Sequence, residues 1–136
     1  MAINKFIIYT DGGSRGNPGP SAIGVVIGEK EYGEKISDTT NNVAEYSAVV
    51  FALKKAKQLL TKIEAKKTEI DLKTDSELLV KQLNGEYKIK NEKLQPLFIE
   101  VWNLKQDFKS VTFTHVPREK NKEADSQVNR ALDTLI

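Results

Sequence analysis

Residues 4–28, NKFIIYTDGGSRGNPGPSAIGVVIG, decide how the fold begins. They contain two short runs rich in β-branched and aromatic residues, at 4–10 and 22–28, and the segment between them is rich in glycine, asparagine and proline, which favour turns. The acidic, glycine-containing segment GEKEYGEKIS at 28–37 follows and predicts a hairpin into a third strand. The sequence therefore predicts three antiparallel strands at the start of the fold.

The remainder of the chain combines helices with two further strands. From Asn41 to Leu60 apolar residues recur mostly at spacings of three, four and seven, which predicts a long amphipathic helix that Asn42 can cap. Strands are predicted over residues 69–74 and 111–116, and helices over residues 76–83, 94–108 and 121–135. This order predicts an α/β fold in which helices flank a mixed five-stranded sheet.

Length and composition restrict the class of protein. The chain has 136 residues, 39% of them apolar, which suits a single domain over residues 1–136. The absence of cysteine excludes a disulfide framework, a thiolate zinc site and a cysteine nucleophile. No apolar stretch reaches the roughly 18 residues of a membrane span, so we expect a cytoplasmic protein with no membrane contact.

The charges are unevenly distributed although the formal net charge is only +2. Residues 1–50 carry four basic and six acidic side chains, whereas residues 51–136 carry 17 basic and 13 acidic ones. The later basic clusters fit contact with a polyanion such as a nucleic acid, and they fit solvated helix faces equally well. Charge alone leaves both interpretations open.

Four carboxylates lie at the predicted edges of strands and helices: Asp11, Glu45, Asp75 and Asp125. Open α/β sheets place ligands at strand ends and neighbouring helix starts, so four acids from distant segments can converge there. Each acid alone also fits an ordinary turn or helix cap. The residues that flank the acids decide between these interpretations.

The flanking segments resemble the type 1 ribonuclease H family over nearly the whole chain. They are TDGGSRGNPGPSAIGVVI (10–27), TTNNVAEY (39–46), TDSELLVKQLNG (74–85) and REKNKEADSQVNRAL (118–132). The resemblance implies a ribonuclease H-like fold and a metal-dependent endonuclease that cuts the RNA strand of an RNA·DNA hybrid.

The same resemblance implies that the four acids are catalytic residues that hold two Mg²⁺ ions. Carboxylate oxygens are ligands that Mg²⁺ prefers, and Mn²⁺ can substitute for it. Two such ions together provide a nucleophilic water, charge relief and stabilisation of the leaving oxygen. The family further implies that Asp11 bridges the two ions.

The loop after the first acid is the candidate for recognising the RNA sugar. Its glycines allow the backbone to approach a sugar edge, where a 2′-OH both donates and accepts hydrogen bonds, although the same composition fits a flexible turn. The loop residues concerned are Gly12, Gly13, Ser14, Arg15 and Asn17. Asn42 is either a minor-groove contact or only the helix cap, and Ser76 is either a phosphate contact or an ordinary first residue of a helix.

The chain lacks the basic, Trp-rich extension with which longer members of that family grip the DNA strand. The corresponding segment here, residues 84–98, is short but retains Lys88 and Lys90, which we expect to contact the nucleic-acid backbone. Trp102, the only tryptophan, lies beside a predicted core stripe, so we expect it to pack rather than to stack on a base or sugar.

His115 and Arg118 are the candidates for a further role near the last acid. The alternation of residues 111–116 places His115, the only histidine, inside a strand. The glycine–histidine loop that many family members have before the last acid cannot be recognised in the sequence that follows. We therefore expect that this loop is deleted. Arg118 is then the better candidate to hold the scissile phosphate or assist the leaving group electrostatically.

The predicted function is hydrolysis of RNA in RNA·DNA hybrids by a monomer with no obligate protein partner. Two other functions use the same fold. A nonenzymatic hybrid-binding module would lack at least one metal carboxylate, and another polynucleotidyl transferase, such as a resolvase or integrase domain, would usually lack TDGGSRGNPG and TTNN. All four acids and both segments are present here.

Overall fold

A five-stranded sheet forms the centre of the computed structural model, which describes residues 4–134. The strands are β1 (Asn4–Ser14), β2 (Gly19–Ile27), β3 (Lys30–Thr39), β4 (Thr68–Thr74) and β5 (Ser110–His115). The helices are α1 (Asn41–Leu59), α2 (Lys62–Lys66), α3 (Glu77–Leu83), α4 (Gln95–Lys105) and α5 (Lys122–Asp133), with a 3-10 turn at Arg118–Lys120.

The strand order β3-β2-β1-β4-β5 confirms the predicted mixed sheet. β1, β2 and β3 pair antiparallel, whereas β4 pairs parallel with β1 and β5 parallel with β4. The pairing of β1 with β4 ends at Tyr9 and Lys73, but its pairing with β2 continues to Ser14 and Ser21. The last part of β1 therefore extends beyond β4, with one edge open.

The two faces of the sheet are covered by different helices. The larger core lies between the sheet and α1 and includes Ile8, Leu53 and Leu72, none of which has exposed surface. On the other face α5 packs mainly on β2 and β3, where Ala22 and Val128 belong to a second, smaller buried cluster. None of the helices within residues 4–134 is long and apolar enough to cross a membrane.

Several helix boundaries differ from those predicted. Thr40, not Asn42, caps α1: its backbone is extended and its side chain accepts a hydrogen bond from the Val43 amide. α4 ends at Lys105 rather than at 108, because residues 106–108 turn through tighter i→i−3 hydrogen bonds. The short helix α2 was not predicted. α5 is observed from Lys122 to Asp133, and residue 135 lies outside the described residues.

The expectation that Trp102 packs into the core is wrong. Its neighbours along the predicted stripe, Val101, Leu104 and Phe108, are buried, but Trp102 itself is 54% exposed. Each residue is rotated by about 100° from the last around a helix, so the position after Val101 turns away from the sheet. There the Lys105 ammonium lies 5.5 Å from the centre of the Trp102 ring.

Candidate active site

The parallel pairing of β1 and β4 sets two acids side by side. Tyr9 and Lys73 form the last pair of this ladder. The same register continued by two residues brings Asp11 opposite Asp75, at the point where the strands part. Asp11 is only 9% exposed, although it lies at the edge of a cleft.

Two glycines allow helices to approach the sheet beside these acids. A Cβ on Gly12 would lie 2.5 Å from the backbone nitrogen of Glu45, so α1 packs directly against β1 there. A Cβ on Gly24 would lie 2.1 Å from the carbonyl oxygen of Ala124, the residue before Asp125 in α5. Side chains at either position would push a helix away, so both glycines are required for Glu45 and Asp125 to reach the end of the sheet.

The structure brings all four predicted acids to one cleft. Carboxylate oxygens of Asp11, Glu45 and Asp75 lie within 4.8 Å of one another, and Asp125 lines the same cleft. They come from β1, α1, the end of β4 and α5, which are distant in the sequence.

Burial and mutual repulsion raise the pKa of two of the clustered carboxyl groups, because both effects disfavour the ionised form. Burial, the charge of Asp75 and a hydrogen bond with Asp125 raise the pKa of Asp11 to about 8, and the charges of Glu45 and Asp125 add to this. Burial raises the pKa of Glu45 to about 7, although a hydrogen bond with Ser76 acts in the opposite direction.

The donor set fits a divalent cation that prefers oxygen ligands. Mg²⁺ binds oxygens at about 2.0–2.1 Å, so two oxygens on opposite sides of one ion lie roughly 4 Å apart. The carboxylate oxygens of the cluster are already within 4.8 Å of one another, close to that separation. A cation would also offset the repulsion that raises the pKa of Asp11.

The loop proposed to read the RNA sugar begins in the same cleft. Four of its five candidate residues line the cleft: Gly12, Gly13, Ser14 and Arg15. β1 runs through Ser14, so this part is extended strand rather than a flexible turn. The Ser14 hydroxyl donates to the carbonyl oxygen of Thr39 at 2.8 Å, and Arg15 pairs with Asp133 at 2.5 Å.

Asn41, which the sequence analysis missed, lines the cleft where Asn42 was expected to contribute. Its Oδ1 accepts a hydrogen bond from the Ser14 amide at 2.8 Å, and its own amide donates to the side chain of Asn17 at 3.0 Å. Asn17 therefore supports Asn41 and does not itself line the cleft. Asn42 is exposed and lies beside Ser76 at a small neighbouring pocket. The TTNN segment signalled an asparagine here, but not which of the two.

The remaining candidates are divided between the cleft and the outer surface. Ser76 caps α3, because its side chain accepts a hydrogen bond from the Leu79 amide at 3.3 Å. Asn129, also missed from the sequence, lines the cleft next to Asp125. Lys88 and Lys90 are exposed on the connection between α3 and α4, outside the cleft.

Arg118 and His115 occupy different environments. The Arg118 Nε atom lies 3.9 Å from an oxygen of Asp75, and the side chain lines the cleft while remaining 89% exposed. His115 is the last residue of β5, as the alternation predicted, and pairs with Thr74. It is exposed and is not among the residues that line the cleft. Only residues 116–121 connect β5 to α5.

The chain matches one family model over most of its length and is similar to a longer mycobacterial protein. A family model described as reverse transcriptase-like matches residues 9–131. A bifunctional protein of Mycobacterium tuberculosis is 35% identical over 136 residues, which cover 95% of this chain and 36% of that protein. The chain thus spans little more than a third of the length of this curated relative.

Solved structures resemble the whole described fold. Ribonuclease H1 of the archaeon Halobacterium salinarum superposes with a TM-score of 0.87 at 38% identity, covering 96% of this chain and 98% of that one. LC11 ribonuclease H1, isolated from compost and solved in complex with an RNA/DNA hybrid, gives a TM-score of 0.86 at 42% identity. That match covers 94% of this chain and 96% of the LC11 chain.

Proposed function

The chain belongs to the type 1 ribonuclease H family, and from that membership we propose that it is a metal-dependent endoribonuclease that hydrolyses the RNA strand of RNA·DNA hybrids. The observation that carries the proposal is the convergence of four carboxylates in one cleft. The hybrid bound to the similar LC11 enzyme supports the substrate class.

We propose that residues 1–136 form one ribonuclease H domain that acts as a monomer in the cytoplasm. The family match over residues 9–131 supports the single domain, and one sheet with its helices accounts for residues 4–134.

Asp11, Glu45, Asp75 and Asp125 are the residues that would hold the metal, which we propose to be two Mg²⁺ ions, replaceable by Mn²⁺. When bound, such ions activate a water, offset the charge of the pentavalent phosphate and stabilise the leaving 3′ oxygen. Asp11 lies on the central strand, and the family resemblance implies that it would contact both ions while the other three acids complete their coordination. Burial and the neighbouring acids raise its pKa, which favours the protonated acid, and a bound cation would favour the carboxylate.

Arg118 is proposed to contact the scissile phosphate. Its guanidinium is exposed at the cleft and therefore accessible to a substrate, and its distance of 3.9 Å from Asp75 keeps it near the acids. A guanidinium remains protonated throughout the accessible pH range. Its contribution would be electrostatic stabilisation of developing negative charge, not proton transfer.

The extended backbone after Asp11 and the neighbouring Asn41 are proposed to select RNA. The side-chain oxygen Oδ1 of Asn41 accepts a hydrogen bond from the Ser14 amide, which fixes the orientation of the side chain. Asn41 is exposed and lines the cleft, and within residues 4–134 no hydrogen bond uses the two donors of its side-chain amino group. A 2′-OH in the minor groove is a suitable acceptor for such a group.

The test is cleavage of a strand-labelled hybrid, an RNA duplex and a DNA duplex of one sequence, each in Mg²⁺ or in chelator. We expect cleavage of the RNA strand of the hybrid only, and only with metal. A nonenzymatic binding module would shift the hybrid in a gel without cutting it, and another polynucleotidyl transferase would cut DNA. Either result contradicts the proposal.

A further inference from the structure

Asn121 is a buried polar residue between the 3-10 turn and α5. It is 1% exposed and occupies the position that precedes the first residue of α5. Asparagine at such a position usually caps the helix by accepting a hydrogen bond from the first turn. Here the side chain makes no capping hydrogen bond. Its amide instead points into the protein, where Nδ2 donates to the carbonyl oxygen of Thr10 at 2.9 Å.

This bond reaches β1 directly before the central acid. Thr10 precedes Asp11 and lies one residue beyond the last pair of the β1–β4 ladder. The strand edge toward β4 is open at this point, so a side chain can reach it. The Asn121 amide therefore holds the chain at the position where the strand leaves the ladder and presents its carboxylate.

The backbone of Asn121 connects two more parts of the same cleft. Its amide donates to the carbonyl oxygen of Arg118 at 2.9 Å, and its carbonyl oxygen accepts from the Asp125 amide at 3.1 Å. One residue thus joins the segments that carry Asp11, Asp125 and Arg118. It does so without lining the cleft itself.

The Asn121 side chain makes one buried hydrogen bond and leaves its oxygen unpaired. The Oδ1 atom is buried and has no hydrogen-bond partner within residues 4–134, which costs free energy. Leucine has almost the same shape as asparagine and would remove that unpaired oxygen, but it would also leave the Thr10 carbonyl oxygen without this donor. The bond to Thr10 is therefore the contact that an amide, and not an apolar side chain, supplies at this position.

We propose that Asn121 is a positioning residue, which sets the spacing of Asp11 and Asp125 so that the cluster can bind divalent metal. The proposal rests on the proposed function, because it assumes that the acids bind metal. Groups that orient metal ligands from behind commonly change metal affinity or activity by about 10- to 100-fold when removed. Asn121 does not line the cleft, so its loss should leave hybrid affinity unchanged.

The test compares Asn121→Leu with Asn84→Leu. Asn84 is the control, because its Nδ2 also donates to a strand carbonyl, that of Phe113 at 3.2 Å, while Asn84 is exposed and does not line the cleft. Mg²⁺ affinity is measured by calorimetry without substrate, and kcat and KM are measured with a labelled hybrid. For Asn121→Leu we expect Mg²⁺ binding at least about 10-fold weaker and kcat lower, with KM within about twofold. Asn84→Leu should match the parent in all three.

Parental Mg²⁺ affinity in folded Asn121→Leu would overturn the proposal. Asn121→Ala serves as a second variant if the leucine is not accommodated. If both variants fail to fold while Asn84→Leu folds, the amide is a requirement of stability and the positioning role is wrong. A parent protein that binds Mg²⁺ but cleaves no hybrid would refute the proposed function alone, since the affinities of the variants would still test the role of Asn121.

Discussion

Neutralising Asp75 is expected to abolish metal-dependent cleavage while leaving the metal-free protein at least as stable as the parent. Its carboxylate oxygen lies within 4.8 Å of oxygens from Asp11 and Glu45. Two unit charges at that separation repel by about 0.9 kcal/mol at a dielectric constant of 80 and about 3.5 kcal/mol at 20. Asp75→Asn removes this repulsion at nearly constant shape.

The gain in stability should depend on pH. The charge of Asp75 is, after burial, the largest cause of the raised pKa of Asp11, about 8. Near pH 7 the parent relieves part of the repulsion by keeping Asp11 protonated, so the gain lies at the lower end of the range. At pH 9 Asp11 is ionised in the parent, so the gain in the free energy of unfolding should be larger. Each gain of 1 kcal/mol raises Tm by roughly 4 °C for a protein of this size.

Thermal melts in chelator at pH 7 and pH 9, and across a Mg²⁺ titration, measure these effects. Metal that binds the folded state raises Tm of the parent, and Asp75→Asn should respond much less. Asp71→Asn is the control, because Asp71 lies on β4, the strand that Asp75 directly follows, but 4.0 Å from Lys73 and outside the cluster. If Asp75 were only a turn residue, its variant would keep both cleavage and the full Mg²⁺ response, and the assignment would be refuted.

Three further outcomes follow from the site. Cleavage should require a 2′-OH near the scissile bond, so deoxy substitution there should protect the RNA strand, and equal cleavage of an all-DNA duplex would contradict the proposed sugar contact. Arg118→Ala should lower turnover by about 10²- to 10³-fold, whereas His115→Ala should leave turnover largely intact. Circular dichroism checks that both variants are folded. Loss of turnover in His115→Ala with normal turnover in Arg118→Ala would show that the assignment of Arg118 is wrong. In chelator, the raised pKa values of Asp11 and Glu45, about 8 and about 7 against ordinary values of 3.8 and 4.5, mean that the folded state binds more protons than the unfolded state. Their contribution to the free energy of unfolding is full below about pH 4 and is lost as pH rises to about 8. Denaturant titrations should show this loss in the parent, less of it in Asp11→Asn, and little of it with Mg²⁺ present.

The sheet was predictable because its signals are local, whereas the four acids were predictable because the segments around them resemble those of the type 1 ribonuclease H family. Alternating apolar runs and turn residues identify the strands. Asp11 and Asp75 are each the first residue after such a run. The local pattern does not predict how closely the helices pack against the sheet beside the acids. Gly12 and Gly24 are visible in the sequence, but only the folded chain shows that each glycine faces a helix backbone.

The wrong or missing assignments depend on tertiary contacts or on a shift of one residue. Threonine and asparagine both cap helices well, so the TTNN segment alone does not distinguish Thr40 from Asn42 as the cap. Neighbouring helical residues point about 100° apart, so Asn41 lines the cleft and Asn42 does not. Trp102 was misplaced for the same angular reason. Asn121 carries no local signal at all, because its role depends on a bond to Thr10, 111 residues away.

The most direct measurement of the central claim is the initial rate of RNA-strand cleavage in a labelled hybrid by the parent, Asp11→Asn and Asp71→Asn. All three proteins are purified identically, and each is assayed with Mg²⁺ and with chelator. The carboxylate cluster predicts that the parent and Asp71→Asn cleave only with Mg²⁺, and that Asp11→Asn falls to the rate seen in chelator. A parental rate for folded Asp11→Asn, or undiminished cleavage by the parent in chelator, would contradict it.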